Sequence, residues 1–151
     1  ECLVGSEMCI RDRVNSALLV KSNEESLATL DCACVDLFTG RCAFYKAGAP
    51  RSYVLRHGRL TRCELASMPA GILRGITFAK RTAVLGAGDT VVLLSDGITD
   101  ADAVGLEALL CRFQSQDQQE LADTVLAYAK AHTPADRRDD MSVIVARLLP
   151  N

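Results

Sequence analysis

The stretch "GDTVVLLSDGITDAD", Gly88 to Asp102, carries an aspartate, Asp96, at the end of an apolar run, and "DDMSVIVARLL" opens a second apolar run with Asp139 and Asp140. Thr90 to Leu94 is β-branched and uncharged, which suits a strand covered on both faces. Asp96 then leaves the sheet at its edge, and Gly97 is expected to let the backbone turn sharply. The second element runs the other way, because its acids precede the strand, Ser142 to Leu149. If the two strands are antiparallel neighbours, the end of one lies beside the start of the other, and the carboxylates of Asp96 and Asp139 converge on one sheet edge. Carboxylates brought together repel unless a proton or a cation sits between them. Ligands that are all oxygen favour hard ions, so Mg²⁺ or Mn²⁺ is the chemical expectation.

Blander roles exist for each of these residues. Asp-Gly after a strand also makes a plain turn. Asp139 and Asp140 can solvate or cap a loop, and Arg137 and Arg138 beside them offer ion pairs worth little at a surface. An EF-hand reading of "DADAVG" from Asp100 fails, since Val104 fills a ligand slot and Cys111 stands where the bidentate Glu belongs. No Walker lysine loop, nucleophile elbow or HExxH occurs. Ser95 has no base placed to make it a nucleophile. His57 reads as the tip of a hairpin and His132 as part of a polar loop, both solvated. The arginines between Arg51 and Arg62 read as solvated strand faces.

Around these residues the pattern is mostly strands, then a helix pair, then one more strand. Val14 to Ser22 has helical spacing. "LATLDCACVDLFTGRCAFYKAG" is two strand-like runs around "DLFTG", with Gly40 available for positive φ. "SYVLR" and "RLTRCEL" flank His57 and Gly58 as a second hairpin. "ASMPAGILRG" is a loop, "ITFAKRTAVL" a strand, and "GAGD" a turn into Thr90. Leu106 to Phe113 is a short helix, and Gln119 to Ala131 a longer one with Leu121, Val125, Leu126 and Ala129 on one face. The expectation is an α+β layered domain.

The bulk numbers exclude several classes. The 151 residues are 49% hydrophobic and 24% charged, which describes a globular chain rather than a disordered one. A formal charge of −2 leaves no basic stripe for nucleic acid and no polybasic membrane patch. No apolar run approaches the roughly 18 residues of a spanning helix. The seven cysteines are odd in number and form no CxxC pair, so they read as small side chains in a reducing cytosol rather than as disulfides or a zinc site.

"DTVVLLSDGITDA" together with "DDMSVIVARL" resembles the last two signature motifs of the PPM-type (type 2C) serine/threonine phosphatases. "VNSALLVKSNEESLATLD", "VDLFTGRCAFYKAGAPRSYVLRHG" and "SMPAGIL" are similar, more narrowly, to the phosphatase domain of the bacterial stage II sporulation protein E family. The likeness runs from Val14 to Leu149 in the family's order. It implies an αββα sandwich with two metal ions, Mn²⁺ or Mg²⁺, at one edge of the central sheets, activating water for attack on a phosphoserine or phosphothreonine. It carries the metal-ligand and catalytic roles onto Asp96 and Asp139, with Gly97 and Asp140 in support. It also implies a phosphorylated protein partner, an anti-sigma-factor antagonist in sporulation. Nucleic acid is not implied as a partner. "KAGAPRS", Lys46 to Ser52, matches a family motif without a catalytic role.

Residues 1–13, ending "CLVGSEMCIRDR", resemble a translated sequencing adapter and are set apart from 14–151, the C-terminal part of a PPM-type domain, so the αββα sandwich is expected to be partial. The family's upstream half supplies a further metal-binding aspartate and an acidic "DG" motif, neither of which is present. This chain is therefore expected to be inactive or nearly so. A rival reading is a catalytically dead PPM-like module that docks a partner, and a third is a small structural domain with incidental turn acids. Membrane attachment in the family lies upstream, so 14–151 reads as part of a cytoplasmic domain, and homodimerisation of the full protein stays open.

Overall fold

A computed structural model of the chain describes residues 13–18, 27–72, 78–100 and 102–150. Its elements are α1 (13–18), β1 (Leu30–Val35), β2 (Arg41–Ala47), β3 (Ser52–Arg56), β4 (Arg59–Cys63), β5 (Ala79–Val84), β6 (Thr90–Leu94), α2 (Asp96–Thr99), α3 (Ala103–Arg112), α4 (Gln118–His132), a 3₁₀ turn (Ala135–Arg137) and β7 (Val143–Arg147). The strands form two sheets, in the orders β1-β2-β5 and β4-β3-β6-β7. The α+β class expected from the sequence holds. Residues 1–12, the end of the Val14–Ser22 helix and the start of the 76–85 strand lie outside the described residues.

Both hairpins form for the local reasons their sequences suggest. At "DLFTG", Asp36 Oδ1 accepts from Phe38 N at 2.9 Å, and its Oδ2 accepts from Thr39 Oγ1 at 2.6 Å. Gly40 follows at φ 69, in the left-handed region open to glycine. At the second hairpin His57 and Gly58 take φ 48 and 74, a two-residue loop of the kind that matches strand twist.

The chain divides into two compact units. The first gathers residues 1–33, 43–49 and 65–81. Its core is Ala47, Ala70 and Phe78, with Leu18 and Leu30 packed against them. Asn15, at 6% exposed, accepts from Gly71 N at 2.9 Å and ties α1 to the loop after Met68. Lys46 is fully buried with its Nζ 2.7 Å from Asp31 Oδ2, so the lysine of "KAGAPRS" serves structure in an ion pair.

The second unit, 34–42, 50–64 and 82–151, holds the four-stranded sheet and helices α2 to α4. Its register places Tyr53 beside Arg62 and Val92, and Val92 beside Val145. Alternation therefore sends Tyr53, Val92 and Leu94 to one face, where they pack with Leu106 and Leu110 of α3 and Leu121, Val125 and Ala129 of α4. Each such buried aliphatic or aromatic side chain contributes about 1.5–3 kcal/mol over an exposed one. Leu126, expected on the same face of α4, is only half-buried.

Two helix boundaries differ from the sequence reading. The helix expected from Leu106 starts at Ala103, because Asp102 caps it by accepting from Gly105 N at 3.0 Å. His132 belongs to the last turn of α4 rather than to a loop, its ring stacked on Tyr128 with centroids 4.0 Å apart. Of the five cysteines among the described residues, Cys42 and Cys63 are buried, Cys32 and Cys34 half-buried and Cys111 exposed, all as free thiols. Among the described residues no helix is long and apolar enough to cross a membrane.

Candidate metal centre at the end of β6 and β7

The strands that carry the acidic residues are antiparallel neighbours. Thr90 pairs with Arg147, and the register runs to Leu94 opposite Val143. Asp96, just past the end of β6, and Asp139 and Asp140, just before β7, therefore stand at the same end of the sheet. The residue after Asp96 meets the backbone of the second motif: a Cβ placed on Gly97 would lie 2.7 Å from Asp140 O and 3.2 Å from Asp139 O.

That contact revises the role given to Gly97. Asp96 to Thr99 is a helical turn, α2, rather than a plain turn, and Gly97 is not among the glycines at positive φ. Glycine is required here because a neighbouring backbone occupies the space where a side chain would begin. Gly97 is buried, whereas Asp96, Asp139 and Asp140 are exposed.

Among the described residues the carboxylates have only local company. Asp96 Oδ1 accepts from Gly97 N at 3.0 Å, and Asp139 Oδ1 accepts from Asp140 N at 2.8 Å. The ion pairing offered by Arg137 and Arg138 does not form. Arg138 instead donates to Lys130 O at 2.8 Å and Thr133 O at 3.3 Å, closing the C-terminal end of α4. The third neighbour is Ser95, whose Oγ donates to Asp140 O at 2.9 Å and accepts from Ser142 N at 2.8 Å. Sequence reasoning saw no use for this hydroxyl. Ser95 stands at the N-cap of α2 and makes no side-chain cap bond to it, a fact that only the structure shows.

Two further networks of the same unit were not visible in the sequence. Asp102 accepts from Tyr128 Oη at 2.7 Å, and the Gly105 N–H first, then Tyr128, hold its carboxyl below the usual range. Glu107 of α3 accepts from Arg62 and, at 3.2 Å, from Tyr53 Oη, with Arg51 3.8 Å away. The Arg62 hydrogen bonds are the leading cause of its depressed pKa. Arg51 and Arg62 thus face solvent but also reach across to Glu107 of α3. An Asp directly ahead of an apolar helical run is a recognisable N-cap signal, but nothing in sequence spacing links Glu107 to Arg62.

As a metal site, this end of the sheet has the right kind of donor in short supply. Exposed carboxylates and backbone carbonyls are hard oxygen donors, which fits Mg²⁺ or Mn²⁺. Among the described residues, however, no group of three or more His, Cys, Asp or Glu side chains is arranged to hold a metal. A cavity of about 380 Å³ lined by Leu55, Thr90, Leu110, Leu121 and Arg147 lies at the other end of β6 and β7 and plays no part here.

Comparison with known proteins gives these features a context. The family described as Stage II sporulation protein E (SpoIIE) matches residues 9–149. Stage II sporulation protein E of Bacillus subtilis (strain 168) is 26% identical over 141 residues, covering 89% of this chain and 17% of that protein. The chain thus spans a minor part of that curated relative. The solved phosphatase domain of the cell fate determinant SpoIIE from Bacillus subtilis, presoaked with Mn, superposes with a TM-score of 0.72 at 26% identity, over 97% of this chain and 66% of that one. The PPM Ser-Thr phosphatase MsPP of Mycobacterium smegmatis, in complex with cacodylate, gives 0.72 at 17% identity over 92% of this chain and 71% of that one, a likeness of fold alone. The two sheets and their helices are accordingly those of the metal-dependent PPM-type phosphatase fold. With the match to that one family extending over almost the whole chain and both acidic motifs meeting at one sheet end, the chain belongs to the stage II sporulation protein E family.

Proposed function

We propose that residues 14–151 form the later part of a metal-dependent serine/threonine protein phosphatase domain. The single observation that carries the reading is the juxtaposition of Asp96–Gly97 with Asp139–Asp140 at the end of two antiparallel strands. Asp96 and Asp139 would hold Mn²⁺ or Mg²⁺, and Asp140 would support them through its backbone. A bound divalent ion supplies charge neutralisation for phosphoryl oxygens and acidifies a coordinated water. The chain's own residues fix where that happens, and they do so on an open surface. Both carboxylates are exposed rather than sunk in a cleft, which suits a phosphate carried on another protein. The resemblance to the family motivates a phosphorylated anti-sigma-factor antagonist as that protein, acted on by a cytoplasmic domain.

Two carboxylates are too few for a tightly held ion pair, so we expect the 151-residue chain alone to turn over little or no phosphate. The test is hydrolysis of a phosphoserine peptide with Mn²⁺, by this chain and by the protein extended upstream. The extended protein should be active with metal and inactive after Asp96→Asn or Asp139→Asn. No metal-dependent turnover by the extended protein would overturn the phosphatase reading, and leave the partner-docking module in its place. Equal turnover by both proteins would overturn only the claim that the carboxylates present are too few.

A further inference from the structure

We propose that Ser95 is the positioning residue for the acidic pair: its hydroxyl fastens the segment before β7 to the start of α2 and so sets the spacing at which Asp96 and Asp139 can share a cation. The inference rests on the metal-ligand reading above.

The backbone ladder of β6 and β7 gives out where the acids begin. Leu94 opposite Val143 is its last register pair, and one more backbone bond follows, from Ser95 N to Ser142 O at 3.0 Å. Beyond it the side chain takes over. Ser95 Oγ accepts from Ser142 N and donates to Asp140 O, so one hydroxyl satisfies two backbone groups of the partner strand's approach. A serine at an N-cap ordinarily turns its oxygen onto the amides of its own helix. Ser95 is the N-cap of α2 and makes no such bond, because its hydroxyl is committed across the sheet end.

The opposite side of the same segment is set by contact rather than by bonding. Gly97 lies so close to Asp140 O that no Cβ fits between them. Ser95 pulls residues 140–142 inward and Gly97 lets them arrive. Among the described residues the side chains of Asp96 and Asp139 each bond only to the next amide, so they do not fix this spacing themselves. Without the hydroxyl, Asp140 O and Ser142 N would turn to water and the Asp139 segment could withdraw from α2.

The test is an Mn²⁺ titration of this chain, ¹⁵N-labelled, read as paramagnetic broadening of the Gly97 and Asp140 amide signals. That readout detects weak occupancy and needs no turnover. In the unaltered protein the two signals should broaden together, and Asp96→Asn should abolish the effect. Ser95→Ala should raise the Mn²⁺ required by about tenfold or more, the loss typical when a group that orients a metal ligand is removed. Ser95→Thr, which keeps the hydroxyl, should restore it. Should Ser95→Ala fail to fold, Ser95→Cys, of similar size and a weaker hydrogen bonder, takes its place. A lowered melting temperature with an unchanged Mn²⁺ midpoint would overturn the positioning role and leave the metal reading standing. Absence of broadening in the unaltered chain, or its persistence in Asp96→Asn, would remove the metal reading and this inference with it.

Discussion

Arg56 lays its guanidinium along the carboxylate of Asp89, with Nε 3.0 Å from Oδ1 and 2.8 Å from Oδ2, although Asp89 is only 2% exposed. Gly86 N donates to the same carboxylate at 2.8 Å, and Asp89 O accepts from Leu148 N at 2.9 Å. The pair therefore anchors the turn into β6 and the tail of β7, at the end of the sheet away from Asp96. Burial pushes the Asp89 carboxyl up, but the Arg56 and Gly86 hydrogen bonds outweigh it and the pKa falls below the ordinary value.

A depressed folded pKa gives stability that is present above the unfolded value, about 3.9, and is lost as pH falls through the folded one. Arg56→Met removes the leading stabiliser of the charged form, so Asp89 should titrate at a higher pH and acid unfolding should begin earlier. Urea midpoints should differ most above about pH 5, where the Asp89 charge is stabilised by Arg56 in the unaltered protein alone, and should converge as pH falls and Asp89 protonates in both. Coincident acid profiles would contradict the assignment.

At the acidic end, Gly97→Ala must drive a methyl into the backbone of Asp139 and Asp140. Overpacking of this kind costs about 1–3 kcal/mol, here against main chain that cannot swing aside as a side chain can. A chemical-denaturation midpoint equal to that of the unaltered protein would show that the close approach is relaxed in solution.

Tyr53 governs the alkaline side. Burial first, then the Glu107 carboxylate, push its phenol from an ordinary value of 10.0 to about 12. A folded pKa above the unfolded one gives stability that is complete below the unfolded value and lost as pH rises through the folded one. Stability should thus decline between pH 10 and about 12. Tyr53→Phe should flatten that decline and delete a step near pH 12 from the tyrosinate absorbance titration.

Packing makes a contrasting pair of variants. Leu110 is 0% exposed between the sheet and α4, so Leu110→Ala should cost about 2–5 kcal/mol. Ile144, on the outer face of β7, is 61% exposed, and Ile144→Ala should change stability by no more than about 0.5 kcal/mol. Equal losses at the two positions would mean that the outer face of β7 is covered in solution.

Much of the fold was legible because its signals are local. Periodicity marked β6, β7 and α4, Gly40 and the His57–Gly58 pair marked the hairpin turns, and the reversed order of acid and strand in the two motifs located Asp96 and Asp139 at one sheet end. Each of these depends on neighbours within a few residues, or on the rule that antiparallel strands meet end to start. Tertiary structure decided what depends on distance between remote atoms. Gly97 proved to be a matter of contact with residues 139 and 140, not of a turn, and Ser95 proved to hold the far strand rather than its own helix. Arg56 with Asp89, Arg62 with Glu107 and Tyr128 with Asp102 join residues 33, 45 and 26 positions apart. No spacing rule reaches that far, because side-chain partners across a sheet or between helices are chosen by register and packing, which exist only once the chain has folded.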